Sequence, residues 1–224
     1  MCVCVNKSMK HACHLFGRQH WGRQDEPLKA LGEHFGDRVR IVEEPVDLWE
    51  DSGLLEDCYD GLVSRATFQY VALATKTAAL AEALRETPPD KLIIAERSPL
   101  SDAAVFAKAF LEEEVEQRAY KVAHDAAMRT LGPLDCSFLF LECASTATLA
   151  ERIRTRGRNG ESSIDMGLLA QLETLHTELK QTLQASGRTV LGLDCSADTA
   201  EVFNRAVAFI LFYFVRDFFK SDDK

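Results

Sequence analysis

The stretch Leu92–Phe106, LIIAERSPLSDAAVF, decides the fold of this chain. It opens with four apolar residues, which are typical of a short strand that is buried on both faces. The apolar run then breaks at Glu96 and Arg97, and open α/β sheets bind their ligands at the carboxyl ends of such strands. Ser101 and Asp102 are suited to capping a following helix. The stretch therefore predicts a strand, a charged turn and a helix, with an ordinary surface ion pair as the alternative explanation of the two charges.

Short apolar strands alternate with amphipathic helices along the rest of the chain. Alternation of this kind favours a parallel, doubly wound α/β sheet of about five strands with helices on both faces. The other predicted strands are Val39–Val42, Cys136–Glu142 and Thr189–Asp194. The predicted helices begin near Leu28 and then cover Thr67–Leu84, Glu112–Arg129, Ala147–Arg158, Met166–Ala185 and Thr199–Phe214.

Composition narrows the classes of function. A chain of 224 residues suits one α/β domain with a sizeable core. The net charge of -9 argues against general binding to nucleic acid or to an anionic membrane. The seven cysteines have no spacing typical of a disulfide framework, and neither a secretory signal nor an apolar run of membrane-spanning length is visible. These features favour a reducing compartment and a protein that is not secreted.

Charged residues at two predicted strand ends form the first candidate site. Glu44 follows the strand Val39–Val42, and Glu96-Arg97 follows the strand Leu92–Ala95. A carboxylate at this edge can accept a proton from a substrate hydroxyl, and an adjacent guanidinium can hold that carboxylate or an incoming phosphate.

Four arginines at every second position form the second candidate site. They are Arg152, Arg154, Arg156 and Arg158, in the sequence ERIRTRGR. On one helix they spread around the axis, so several of them converge only if the segment closes over an anion. A segment of this kind suits a polyphosphate, on which charge builds up during transfer. The alternative is a solvated basic helix end that complements the helix dipole.

Four short motifs occur in order along the chain, namely Glu44-Pro45-Val46 with Trp49, Phe68-Gln69, Glu96-Arg97-Ser98 and the segment from Arg152 to Glu161. Taken in this order, the motifs resemble those of the deoxynucleoside kinases over roughly residues 28–194. The resemblance implies a three-layer P-loop kinase fold with an Arg-rich lid, which moves the γ-phosphate of ATP to the 5′-hydroxyl of a deoxynucleoside with Mg²⁺. It also favours a homodimer. With the negative net charge, we expect no nucleic-acid or membrane partner and a location in the cytoplasm or the mitochondrion.

The roles of the acceptor-site residues follow from this resemblance by position. Glu44 resembles the general base on the 5′-hydroxyl, Arg97 its electrostatic partner, and Glu96 a residue that assists the metal and its waters. Gln69 resembles the amide that reads the base by paired hydrogen bonds, and Trp49 resembles a wall of the pocket.

Two further roles are implied in the same way. Tyr59 and Glu161 resemble the pair that holds the 3′-hydroxyl, although Tyr59 matches only with a one-residue gap. The four arginines of the second site match the lid, where their role is to stabilise the transferred phosphoryl group.

The phosphate loop departs from the family pattern. The expected form is G-x-x-x-x-G-K-[ST], whose backbone and Lys hold phosphates while Ser/Thr binds magnesium. The matching segment reads GRQHWGRQ, in which Gly17 and Gly22 are correctly spaced but Arg23 replaces Lys and Gln24 replaces Ser/Thr. Gly17, Gly22 and Arg23 are thus the candidate ATP-binding residues of an atypical segment, 1–27, that precedes a kinase-like domain, 28–224. Taken literally, this loop predicts weak ATP binding.

A reading-frame error offers another interpretation of the same loop. Codons can be chosen for Arg18–Pro27 so that the string, read one base later and completed by one base of the Leu28 codon, encodes GNIGAGKTSL. That sequence is the phosphate loop expected of the family. Trp21 has a single codon, which limits the freedom of this match. We therefore hypothesise that residues 1–27 are translated out of frame.

Three functions remain open from the sequence. The first is an active deoxynucleoside kinase, at least as its gene encodes it. The second is an inactive relative that serves as a structural or binding subunit, as in the kinase-like accessory subunit of mitochondrial complex I. The third is another P-loop kinase, such as one acting on thymidylate, although phosphorylated acceptors usually need more basic residues than this acceptor site offers.

Overall fold

The computed structural model describes residues 3–4, 12–14, 27–143, 145–156, 165–196 and 198–218. Side chains are described for residues 28–143, 145–155, 165–196 and 198–212. The statements on structure below concern these residues.

Six short strands form two sheets in the described part of the chain. They are β1 (Val3–Cys4), β2 (Ala12–His14), β3 (Val39–Val42), β4 (Leu92–Glu96), β5 (Phe138–Glu142) and β6 (Val190–Asp194). In the first sheet β4 pairs in parallel with β2 and β3, while β1 pairs antiparallel with the end of β4. The second sheet is the parallel pair β5 and β6. The α/β class with parallel strands is confirmed, whereas the single sheet of about five strands is not.

The helices follow the predicted order, with two short additions. The first addition, α2, starts directly after Pro45, and α3 follows it. The helices are α1 (Pro27–Phe35), α2 (Val46–Asp51), α3 (Leu54–Tyr59), α4 (Arg65–Glu86), α5 (Pro99–Ser101), α6 (Lys108–Phe110), α7 (Glu114–Leu131), α8 (Thr146–Arg156), α9 (Met166–Ala185) and α10 (Thr199–Phe218). A 3₁₀ turn covers Gly36–Arg38, and a π-helical segment, Asp102–Ala107, joins α5 to α6.

The largest core cluster lies around β4 and β5. All five residues of β4 and the first four of β5 are buried, as expected for strands covered on both faces. Leucines of α9 spaced three or four positions apart share one face of that helix and join the cluster.

None of the helices in the described part has the length and apolar character needed to span a bilayer.

The start of α5 corrects the predicted cap. Ser98, rather than Ser101 or Asp102, is the N-cap, and its hydroxyl accepts the backbone N–H of Ser101. The Ser101 hydroxyl in turn accepts the backbone N–H of Ser98, which completes a capping box. Pro99 fits the first helical position because it lacks the N–H that would be unsatisfied there. Asp102 therefore lies inside the helical segment, buried and available for a different partner.

The cysteines also depart from the expectation. Cys58, Cys143 and Cys195 are free thiols, but Cys136 is disulfide-bonded, which the spacing of the cysteines did not predict.

Replacing a ring in the core tests this packing. Phe138 is fully buried in β5, so we expect Phe138→Ala to lower the free energy of unfolding by about 3–5 kcal/mol through lost burial and the cavity left behind. Val122 on α7 is 69% exposed, and Val122→Ala should change the free energy of unfolding by less than about 0.5 kcal/mol. Urea unfolding of both variants measures the difference, and equal losses would contradict the placement of β5 in the core.

Candidate active site

The ends of β3 and β4 bring the first candidate site together. The two strands pair in parallel with Val39 opposite Leu92 and Val42 opposite Ala95, so they end at the same edge. Glu44 lies just past β3, and its backbone N–H donates to Oε2 of Glu96 at 3.3 Å. Both carboxylates are buried. The structure thus brings these residues together at one edge of the sheet.

Arg97 binds Glu44 directly. Its Nη1 donates to Glu44 Oε1 at 2.9 Å, and its guanidinium carbon lies 4.6 Å from the centre of the Phe106 ring. The backbone of Arg97 has a φ of 58°, a left-handed conformation that side chains other than glycine adopt at a cost. The strained backbone conformation and the ion pair with Glu44 thus occur at the same residue.

The charge state of Glu44 follows from its surroundings. Burial alone raises the pKa of this carboxyl, but the positive charges of Arg97 and Lys76 outweigh burial and lower the pKa to about 2. Glu44 is therefore ionised at neutral pH. A buried carboxylate with two cationic partners can accept a hydrogen bond from a hydroxyl without first losing a proton.

Lys76 and Asp102 complete the cluster, and the sequence interpretation missed both. The Lys76 ammonium lies 2.6 Å from Glu44 Oε1 and 2.6 Å from Asp102 Oδ1. Burial raises the pKa of Asp102, and the charge of Lys76 opposes that rise. Lys76 follows Gln69 by seven positions, two helical turns, so the two residues share a face of α4. That spacing is a sequence signal from which Lys76 could have been found.

Aromatic and amide groups also belong to this region, and the Lys76 ammonium lies 5.4 Å from the centre of the Trp49 ring. Trp49 is buried, packs edge-to-face on Phe68 at 5.3 Å between ring centres, and donates from Nε1 to the Thr75 hydroxyl at 3.1 Å. Gln69 is 5% exposed, and its Oε1 has no hydrogen-bond partner among the described groups. Asp102 Oδ2 is likewise buried without a partner there. Buried oxygens of this kind are costly to leave unpaired unless a ligand or water supplies a hydrogen-bond partner.

A family model for deoxynucleoside kinases matches residues 27–210 of the chain. The chain belongs to the deoxynucleoside kinase family. Among solved structures, a deoxyadenosine kinase from M. mycoides with bound dCTP is similar, with a TM-score of 0.64 and 18% identity. The alignment covers 88% of this chain and 97% of that one. At this identity the likeness shows a shared fold. No curated protein matches the chain.

The arginines that the family resemblance assigns to the lid are only partly described. Arg152 donates from Nη2 to the Cys195 carbonyl at 3.1 Å, and its Nη1 is buried without a partner among the described groups. Arg154 is exposed and pairs with Glu151 on its own helix. Neither is bonded to Glu44 or Arg97 in the described part of the chain, so the structure does not bring this pair to the acceptor site. The side chain of Arg156 and all of Arg158 lie outside the described residues.

The remaining candidates lie wholly or partly outside the described part of the chain. Gly17, Gly22, Arg23 and Glu161 lie outside the described residues. Tyr59 is described, half-buried at the end of α3, but its expected partner Glu161 is not. Across the residues with described side chains, no group of three or more His, Cys, Asp or Glu is arranged to hold a metal ion.

Proposed function

We propose that this member of the deoxynucleoside kinase family transfers the γ-phosphate of ATP to the 5′-hydroxyl of a deoxynucleoside. The observation that carries the proposal is the buried Glu44 carboxylate, held by Arg97 at the carboxyl edge of β3 and β4. Ligands of open α/β sheets bind at this edge. The unpaired Gln69 Oε1 supports a polar ligand, because a base with an N–H group would satisfy it.

In this proposal Glu44 orients the 5′-hydroxyl and accepts its proton. A carboxylate with a pKa of about 2 is a weak base, so it supplies little driving force for early proton removal. Phosphoryl transfer has a loose transition state in which the nucleophile keeps its proton until late, and positioning matters more than base strength. Arg97 fixes the carboxylate for this role, and its charge also favours an incoming phosphate.

The remaining roles are proposed from the family resemblance and the local chemistry. Mg²⁺ would neutralise charge on the phosphates, and it usually binds one or two carboxylates together with phosphate oxygens. Glu96 at the end of β4 would supply one such carboxylate. One protein carboxylate together with phosphate oxygens is a ligand set that suits Mg²⁺. The unpartnered Nη1 of Arg152 suits an anionic oxygen of the donor. Trp49 walls the nucleoside pocket, and Tyr59 with Glu161 holds the 3′-hydroxyl.

Phosphoryl transfer from ATP to each of the four deoxynucleosides tests the proposed function. The assay compares the chain as written with a version carrying GNIGAGKTSL in place of Arg18–Pro27. We expect transfer only in the second version, because its loop restores the Lys and Thr that hold phosphates and magnesium. Activity in both versions would show that Arg23 can serve in the loop. Folded protein without transfer or nucleoside binding in both would contradict the proposed function.

An inactive, kinase-like binding or structural subunit is the second candidate. The written loop favours it, because Arg23 and Gln24 stand where the motif has Lys and Ser/Thr. The buried ion pair of Glu44 with Arg97 argues for the active kinase, since a structural protein gains little from a charge pair that must be desolvated. Nucleoside binding without transfer in both versions of the loop would favour this second candidate.

A further inference from the structure

We propose that Thr75 is a positioning residue for Trp49, the side chain that the proposed function places at the wall of the nucleoside pocket. The inference rests on that function and deepens it, because it names the group that fixes the wall. Thr75 acts through Trp49 in this role and does not itself have to touch the substrate.

The indole of Trp49 is held by a hydrogen bond at its polar edge. Its Nε1 donates to the Thr75 hydroxyl at 3.1 Å, and the residue is only 4% exposed. The indole N–H is a donor only, and a buried tryptophan usually has an acceptor for it. Leaving the N–H buried and unpaired costs the full desolvation of that group. We therefore expect the indole to leave its present orientation when the Thr75 hydroxyl is removed.

The Thr75 hydroxyl is itself fixed by its own helix. It donates to the Val71 carbonyl at 2.8 Å, one turn earlier in α4, and Thr75 is half-buried. Threonines in helices commonly make this bond to the carbonyl four residues before them. With its proton on the helix carbonyl, the oxygen can present a lone pair to the indole. Carbonyl, hydroxyl and indole thus form a chain of hydrogen bonds, in which each bond strengthens the next.

A ring contact on the same face of α4 supports the indole beside this bond. Phe68 packs edge-to-face on Trp49 at 5.3 Å, and it precedes Thr75 by seven positions, which is two helical turns. Trp49 belongs to α2, a helix of six residues, and helices this short are not stable by themselves. The placement of the indole therefore depends on side-chain contacts with α4. Without the Thr75 bond, the ring contact alone would not fix the direction of the indole N–H.

Loss of this bond should affect substrate binding more than the chemical step. A wall of the pocket contacts the nucleoside in the ground state and in the transition state alike. Weakening such a contact raises KM and leaves kcat nearly unchanged.

A double-mutant cycle on KM tests the inference. Thr75→Val, which keeps the shape of the side chain without the hydroxyl, is measured alone and with Trp49→Phe, which keeps a ring without the N–H. Thr75→Ser keeps the hydroxyl and is the conservative variant. Thr77→Val is the matched control, because Thr77 is buried on the same helix and its hydroxyl has no hydrogen-bond partner among the described groups. The kinetics use whichever loop version of the full chain transfers phosphate.

Fluorescence gives a second measurement on the indole itself. The version carrying GNIGAGKTSL lacks Trp21, so Trp49 is its only tryptophan. Quenching by acrylamide should be stronger in Thr75→Val than in the unsubstituted version, because an indole without its acceptor is less well held in its buried position. Thr75→Ser and Thr77→Val should be quenched like the unsubstituted version.

Positioning of Trp49 predicts a specific kinetic result. Thr75→Val should raise KM for the deoxynucleoside about 3- to 30-fold with less than about a threefold change in kcat, and Thr75→Ser should recover most of the loss. On the Trp49→Phe background, Thr75→Val should change KM less than about twofold, because the donor is already gone. Thr77→Val should leave KM within about twofold. Should Thr75→Val fail to fold, Thr75→Ala replaces it in the cycle.

Other results would overturn the inference. An equal rise of KM on both backgrounds, or a loss of kcat alone, would mean that Thr75 does not act through Trp49. Unchanged KM and unchanged quenching in Thr75→Val would show that the bond does not fix the indole. Where a deoxynucleoside binds without transfer, its Kd replaces KM in the same cycle.

Failure of the proposed function gives a different pattern. Absence of both transfer and nucleoside binding by the unsubstituted chain, in both loop versions, would reject that function. In that case the coupling between Thr75→Val and Trp49→Phe in urea unfolding decides whether the bond exists, and a coupling below about twofold in the unfolding constant overturns the inference.

Discussion

Glu44→Gln should lower the rate of phosphoryl transfer about 10²- to 10⁴-fold, the range expected when a group that takes up a proton is removed. Glutamine keeps the shape of the side chain, so it can still accept a hydrogen bond, but it has no charge to stabilise the departing proton. Deoxynucleoside binding should change much less, because Glu44 acts on the hydroxyl during transfer. The measurement is kcat and KM with ATP, together with nucleoside affinity by calorimetry.

Glu43→Gln is the matched control for this prediction. Glu43 is the adjacent residue, carries the same functional group and is exposed, so its amide variant should retain the activity of the unsubstituted chain. Equal activity of the Glu44 and Glu43 variants would contradict the role of Glu44 as proton acceptor. A loss confined to KM would assign Glu44 to substrate binding.

Arg97→Met should lower the free energy of unfolding by about 3 kcal/mol at neutral pH, because it removes one partner of a buried ion pair and leaves Glu44 with Lys76 alone. The strained backbone at Arg97 remains in this variant, so the loss reports the missing guanidinium. The double variant, Arg97→Met with Glu44→Gln, should lose less free energy of unfolding than the two single variants lose in sum. Urea unfolding at pH 7 measures all three proteins.

The free energy of unfolding that is lost in Arg97→Met should depend on pH in a defined direction. Folding lowers the pKa of Glu44 from its ordinary value of 4.5 to about 2. The stabilisation from its ionised form is therefore fully present above about pH 4.5 and disappears as the pH falls towards 2. The difference between the unsubstituted chain and Arg97→Met should accordingly narrow between pH 5 and pH 3. A difference that is constant over this range would show that Arg97 stabilises the fold through contacts other than Glu44.

The acceptor-site carboxylates could be predicted because their positions depend on strand ends. An apolar run followed by a charge marks where a buried strand reaches the sheet edge, and parallel strands end at one edge. This reasoning placed Glu44, Glu96 and Arg97 together, as the structure does. Strand-end reasoning does not extend to Arg152 and Arg154, because the contacts of a helix end depend on the neighbouring loop and not on residue spacing.

Lys76 and Asp102 were missed for a related reason. A lysine in a long helix is usually solvated, and an aspartate after a serine near a helix start is usually a cap. Only the packing of α4 against the π-helical segment buries both residues and pairs them. Sequence periodicity indicates which residues share a helix face, but it does not indicate which other element covers that face.

The sequence by itself determined the α/β class, the order and approximate bounds of most elements, the family motifs and the edge where Glu44 and Arg97 meet. These features depend on local propensity, on apolar periodicity and on the rule that parallel strands end together. Tertiary structure alone decided the division of the described strands into two sheets, the Ser98 cap that places Asp102 inside the helix, and the Lys76 bridge. Those features depend on contacts between residues far apart in the chain, whose free energies arise only when the elements pack and exclude water.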